Sequence, residues 1–200
     1  MPPTDTRAVE LLDAGVRRRL ERFGAWTADR PAPGADGFRR AAPALWDGAD
    51  LRFDPGTGWT GQAWPAEPWT VDVDGLTMEL RPTSSGGLGL YPEHAANLAW
   101  LEARVRGGAT SVINLFAHTG LATLALARAG ASVTHVDGAR TAIGWARRNA
   151  ELSGLADRPI RWIVDDALGF VAREGRRGRR YDGIVLDPPG AAFPPHDPDE

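Results

Sequence analysis

Residues 111–137 read SVINLFAHTGLATLALARAGASVTHVD, residues 160–167 read IRWIVDDA, and residues 183–189 read GIVLDPP. Short β-branched runs, each ending in a polar or acidic residue, alternate here with Ala-, Leu- and Arg-rich stretches. The runs 111–116, 132–136, 160–164 and 183–186 read as buried strands. The stretches 120–129, 141–152 and 167–173 read as helices, the first closed by Gly130 and the second by Ser153-Gly154. Strand–helix–strand alternation with apolar strands implies a Rossmann-like, doubly wound, mostly parallel sheet.

Open sheets of this kind bind ligands beyond the carboxyl ends of their strands. Each strand end here carries a group suited to that task. The first leads into Asn114-Leu-Phe-Ala-His-Thr-Gly120, where Gly120 lets backbone approach a ligand closely. The segment lacks the paired glycines of a dinucleotide pyrophosphate loop, so a ligand without phosphates fits it better. The second strand ends in Asp137, 17 residues beyond Gly120. Its carboxylate suits two ribose hydroxyls, and it equally suits the turn into the next helix. The third ends in Asp165-Asp166. One of these carboxylates suits an exocyclic amine, and helix capping claims the other. The fourth ends in Asp187-Pro188-Pro189, a rigid loop rich in acceptors and poor in donors, fit to grip an amine or the edge of a flat ring.

Taken together, INLFAHTGLATLALARAGA (113–131), VTHVDGARTAIGWARRNAELSGL (133–155), WIVDDALGFV (162–171) and YDGIVLDPP (181–189) resemble the first half of a class I S-adenosylmethionine-dependent methyltransferase. The resemblance is to the group that includes the bacterial large-subunit ribosomal RNA methyltransferases, among them 5-methylcytosine formers. GLGLYPEHAANLAWL (87–101) resembles the segment that this group places before its first strand. The resemblance implies S-adenosyl-L-methionine as cofactor and RNA as substrate. It implies that Asn114 and the loop Phe116, Ala117, His118, Thr119 and Gly120 hold the methionine part, with His118 packing the loop where the family often has tyrosine. It further implies that Asp137 binds the ribose, that Asp166 and Ala167 meet the adenine, and that Asp187, Pro188 and Pro189 line the methyl-transfer site. Tyr91, with Glu93 and His94, would contact the cofactor from the upstream segment.

The resemblance also implies seven strands in the order 3-2-1-4-5-7-6, of which four are readable. The fourth would be an exposed edge, an aggregation liability, and the polar, Pro-rich tail 193–200 is unsuited to cover it. The 200 residues are therefore expected to be the N-terminal portion of a longer chain: residues 1–107 an arm, residues 108–200 half of a catalytic domain. The chain has no cysteine. Disulfide scaffolds and cysteine metal sites are excluded within it. Methylation of cytosine carbon 5 requires a thiol adduct, so that chemistry would need a cysteine beyond Glu200.

The arm is harder to read. Val9, Leu12, Val16, Leu20 and Phe23 recur at three- and four-residue spacing, which predicts an amphipathic helix over 7–23 stopped by Gly24. Residues 27–48 read as a Pro- and Gly-rich loop. Trp46, Trp59, Trp64 and Trp69 fall within 24 residues and read as a packed cluster before a base-stacking surface. Asp74-Gly75 between TVDV and LTMEL predicts a β-hairpin. Residues 93–106 read as a helix presenting Leu98, Leu101 and Val105.

All 23 basic residues are arginine and the net charge is −3. Residues 1–100 carry 10 Arg against 14 Asp and Glu, and residues 101–200 carry 13 against 12. Neither half has the basic footprint of a protein that coats a nucleic-acid backbone, and GRRGRR (175–180) reads as a solvated loop. With neither a signal-peptide pattern nor a spanning apolar run, a cytoplasmic protein without membrane or metal partners is expected.

Overall fold

The computed structural model describes residues 9–62 and 69–188. They form two units, Met1–Ala95 and Ala96–Glu200. The division falls ahead of the helix over 98–106, which packs on the helix over 121–128.

In the second unit, β8 (Ser111–Leu115), β9 (Ser132–Asp137), β10 (Ile160–Val164) and β11 (Gly183–Leu186) form one parallel sheet in the order β10-β9-β8-β11. That is the 3-2-1-4 portion of the expected order. Register is direct, with Ser111 opposite Ser132, Ile160 opposite Val133 and Gly183 opposite Val112. α2 (Leu98–Arg106), α3 (Leu121–Arg128), α4 (Arg140–Leu152) and α5 (Ala167–Arg176) complete the unit. Leu101, Val105, Val112, Leu126 and Val133 form one apolar cluster, and Ile113, Leu115, Val136, Ala167 and Phe170 another. Leu98, Leu101 and Val105 are the buried face of α2, as their spacing predicts. Its first turn is 3-10 helix over Pro92–Asn97. β11 is an edge, with Ile184 61% and Leu186 54% exposed.

The first unit departs from the sequence reading. The helix over 7–23 is absent. Its place is taken by β1 (Val9–Gly15) and β2 (Arg18–Phe23), paired antiparallel. Residues 27–48 are not all loop: β3 (Trp26–Pro31) continues the ladder, followed by a 3-10 turn at Pro33–Ala35 and the short helix α1 (Pro43–Trp46). β4 (Leu51–Asp54) and β5 (Gly58–Gly61) complete a five-stranded sheet.

Two features override the helical spacing. The β1–β2 turn holds Val16 and Arg17 both at positive φ, 53° and 60°. The amide of Val16 donates to Phe38 O, and the amide of Arg17 to Ala35 O. Charged side chains also sit inside the sheet. Glu21 pairs with Arg30, and Asp29 with Arg18. The buried Asp13 carboxylate accepts from the amides of Ala14, Ala41 and Ala42 and from Trp46 Nε1. Those bonds, the Trp46 indole first, hold its pKa down at about 2.

The hairpin at Asp74-Gly75 forms as expected. β6 (Thr70–Val73) pairs with β7 (Leu76–Glu79), with Asp74 and Gly75 at φ 52° and 78°. The tryptophans pack. Trp69 meets Phe23 edge-on at 6.4 Å, Trp59 lies 5.2 Å from Phe53, and Trp46 is buried. Trp64 lies outside the described residues.

Candidate functional site

The carboxyl ends of β8, β9 and β10 are stitched into one rim. The amide of Ala117 donates to Val136 O, and the amide of His118 donates to Asp137 Oδ2 at 2.8 Å. The other Asp137 oxygen accepts from the amide of Ala139 at 2.8 Å, and the Asp165 amide donates to Asp137 O. Asp137 thus serves the turn, one of its two readings. Each of its oxygens takes one backbone N–H, and a carboxylate oxygen has a second lone pair for a ligand hydroxyl.

The loop after β8 is held in an uncommon conformation. Phe116, His118 and Gly120 have φ of 54°, 49° and 93°. Non-glycine residues rarely adopt positive φ, and they persist where the surroundings fix them. Gly120 has no alternative: a Cβ there would lie 3.1 Å from Ala146 Cβ, in a left-handed backbone. From α4, Asn149 Nδ2 donates to Thr119 O at 2.9 Å. Ala117 and Thr119 are buried.

Asn114 stands apart from the rest of its segment. Its side chain turns into the unit and donates to Thr123 Oγ1 at 2.9 Å. Thr123 Oγ1 lies 2.9 Å from His135 Nδ1. His135 is fully buried, and desolvation lowers its pKa to about 4 against a smaller opposing pull from Asp137. This polar chain was missed in the sequence. Its signals were Thr123 in an otherwise apolar helix and His135 inside an apolar strand.

After β10 the two aspartates divide their work. Asp166 is the N-cap of α5, accepting from the Gly169 amide at 2.6 Å. Asp165 pairs with Arg173. The residue assigned to adenine is therefore the capping one, and one of its oxygens is spent on the cap. Ala167 is the first residue of α5 and is buried. Asp187 is exposed just beyond β11, Pro188 is half-buried, and Pro189 lies outside the described residues. Tyr91 is 44% exposed and stacks at 5.6 Å on His94. Tyr91, Glu93 and His94 belong to the first unit.

Among the described residues, no group of three or more His, Cys, Asp or Glu could hold a metal ion, and no helix is long and apolar enough to cross a membrane.

A parallel sheet in the order 3-2-1-4, with this rim over its carboxyl ends, is the first part of the Rossmann-like fold of the class I methyltransferases. The chain belongs to the family described as conserved hypothetical protein 95, whose family model matches residues 78–192. It is 38% identical to a crystal structure of the SAM-dependent methyltransferase from Agrobacterium tumefaciens, with a TM-score of 0.84 over 94% of this chain and 62% of that one. Over 126 residues, 62% of this chain, it is 32% identical to ribosomal RNA large subunit methyltransferase I of Shewanella amazonensis. Over 102 residues, 50% of this chain, it is 38% identical to ribosomal RNA large subunit methyltransferase K/L of Syntrophotalea carbinolica. Those matches span 31% and 14% of the two relatives.

Proposed function

We propose that this chain binds S-adenosyl-L-methionine and belongs to an enzyme that methylates RNA, a base of large-subunit ribosomal RNA being the favoured target. The observation that carries the reading is the rim. A strained loop, without the paired glycines of a pyrophosphate loop, is tied to Asp137 at the second strand end, and Asp137 O ties that end to the third. The similarity to SAM-dependent and ribosomal RNA methyltransferases supports the same reading.

The residues fit the cofactor. The absent Cβ at Gly120 lets backbone come close to the methionine part, with Phe116, Ala117, His118 and Thr119 shaping the loop. Asn114 supports that loop from beneath rather than touching the ligand. Asp137 receives the ribose hydroxyls. Asp166 and the Ala167 amide meet the adenine edge, and the resemblance assigns Tyr91 to the cofactor as well. When bound, the cofactor would supply a methyl group on a sulfonium, with S-adenosylhomocysteine as the leaving group. The protein's contribution is alignment and closeness. Asp187, Pro188 and Pro189 present acceptors to the target base and hold its reacting atom on that line. We place this work in the cytoplasm with its RNA.

Calorimetric titration with S-adenosylhomocysteine, beside a nicotinamide dinucleotide, tests the cofactor. Heat with the first alone is expected, and no heat with it overturns the reading. Asp137→Ala is expected to weaken that binding about tenfold or more, as loss of a charged hydrogen-bond acceptor does. Transfer of tritiated methyl to RNA by the full-length protein separates an enzyme from a relative that only binds.

A further inference from the structure

We propose that His135, as a neutral imidazole accepting a hydrogen bond from Thr123, is a positioning residue for the loop 116–120. The inference rests on the reading of that loop as the cofactor's. His135 is not one of the groups assigned to the ligand, but its ring lies against Gly120 and the His118 backbone, and it is among the largest fully buried side chains of the described residues. A buried histidine is costly unless something requires it.

The chain Asn114 Nδ2 to Thr123 Oγ1 to His135 Nδ1 crosses from β8 through α3 to β9, with both separations 2.9 Å. The Thr123 hydroxyl accepts from Asn114 and donates to Nδ1, so both of its roles are used. That leaves the ring proton on Nε2, which is buried and meets no acceptor at full hydrogen-bond distance among the described residues, the His118 backbone being the ring's other polar neighbour. Such an orphan donor carries a real penalty, and the ring retains it. Packing accounts for the retention. A Cβ on Gly120 would lie 3.7 Å from His135 Cε1, so the ring edge backs the glycine at which the loop turns into α3. On its other side the ring lies 4.8 Å from Trp162, which fixes its tilt. The loop is thus held from α4 by Asn149 and from the rim by Asp137, and it is backed at Gly120 by the His135 ring, whose position Thr123 fixes. Protonation at Nδ1 would remove the acceptor that Thr123 needs.

The test compares Thr123→Val, Thr123→Ser and His135→Phe in the full-length protein. The readouts are the amide resonances of His118 and Gly120, the nitrogen resonances of His135, and affinity for S-adenosylhomocysteine. Thr123→Val and His135→Phe are expected to shift the two amides and to weaken binding about tenfold. Thr123→Ser, which keeps the hydroxyl, is expected to restore both. The His135 resonances are expected to report a proton on Nε2. Folded Thr123→Val protein with unmoved loop amides, or a ring protonated on Nδ1, overturns the proposal. If the unmutated protein binds no S-adenosylhomocysteine, the cofactor reading fails, while the loop amides still decide whether Thr123 and His135 position the loop.

Discussion

The two units bury different things. The second keeps mostly aliphatic side chains inside, with the Asn114–Thr123–His135 thread through them and one buried acid, Glu174, met by Tyr181, Arg161 and Arg177. The first places Asp13, Glu21, Asp29 and Arg30 in its interior, each less than 9% exposed. Arg30 Nη2 lies 2.6 Å from Glu21 Oε2 and Arg30 Nη1 donates to Gly86 O, while Arg18 binds Asp29 and Phe53 O. The second unit rests mainly on dispersion and desolvation, its buried acid paired with half-exposed arginines, while the first adds a pair, Glu21–Arg30, in which both partners are buried. The contrast teaches where each is vulnerable. An apolar core loses stability in proportion to the volume removed. A buried pair loses most when one partner goes and the other is left charged.

The largest expected effect follows from that. Glu21→Ala strands Arg30 and should cost about 4 kcal/mol, read by urea denaturation of the first unit. The double replacement of Glu21 and Arg30 by leucine and methionine should recover most of the loss, because the stranded charge is then gone. If the double variant is as unstable as the single one, the pair is not what holds the sheet. Leu126→Ala in the second unit should cost about 3 kcal/mol, with no partner substitution able to restore it short of refilling the cavity.

The polar thread sharpens the comparison through pH. His135 has its folded pKa lowered to about 4 from 6.5. Below pH 6.5 the unfolded chain takes up a proton that the folded chain refuses. Stability is therefore lost as pH falls from about 6.5, and the loss levels off below about 4. Between neutral pH and pH 5 the second unit should lose about 2 kcal/mol from this group. His135→Phe should flatten that slope. Asp13, held down at about 2, contributes its stability above the ordinary aspartate range and loses it only in stronger acid, so it adds no slope to the first unit over the same window.

The same contrast explains what the sequence made legible. In β8 to β11 most buried residues are apolar, so the strands follow from composition and spacing, while their order was what the resemblance implied. Asp74-Gly75 was legible for a local reason, the positive φ that its turn demands. β1 and β2 were not. Leu20 and Glu21 are both buried, on opposite faces, so the strand shows no alternation of apolar and polar residues. Leu12 and Val16 fall at helical spacing by coincidence, and Val16 is 61% exposed at a turn where glycine or asparagine is usual. In the site, Gly120 and Asp137 were legible because each stands at a strand end. The Asn114–Thr123–His135 chain was not, because its members are distant in sequence and meet only once β8, α3 and β9 have packed.

The smallest effect separates two jobs in one residue. Asp166 caps α5 through Oδ2, and the resemblance gives its carboxylate to adenine. Asp166→Ala removes an N-cap acceptor and should cost about 1 kcal/mol of stability. Asp166→Ser keeps a side-chain oxygen able to reach the Gly169 amide, so melting should return nearly to its original temperature. The carboxylate is nevertheless gone in both variants. If Asp166 also meets the adenine, both should bind S-adenosylhomocysteine more weakly, by a similar factor, despite their different stabilities. Were Asp166→Ser to recover affinity along with stability, the residue would be a cap alone. The third strand end would then reach the ligand only through the backbone at Ala167.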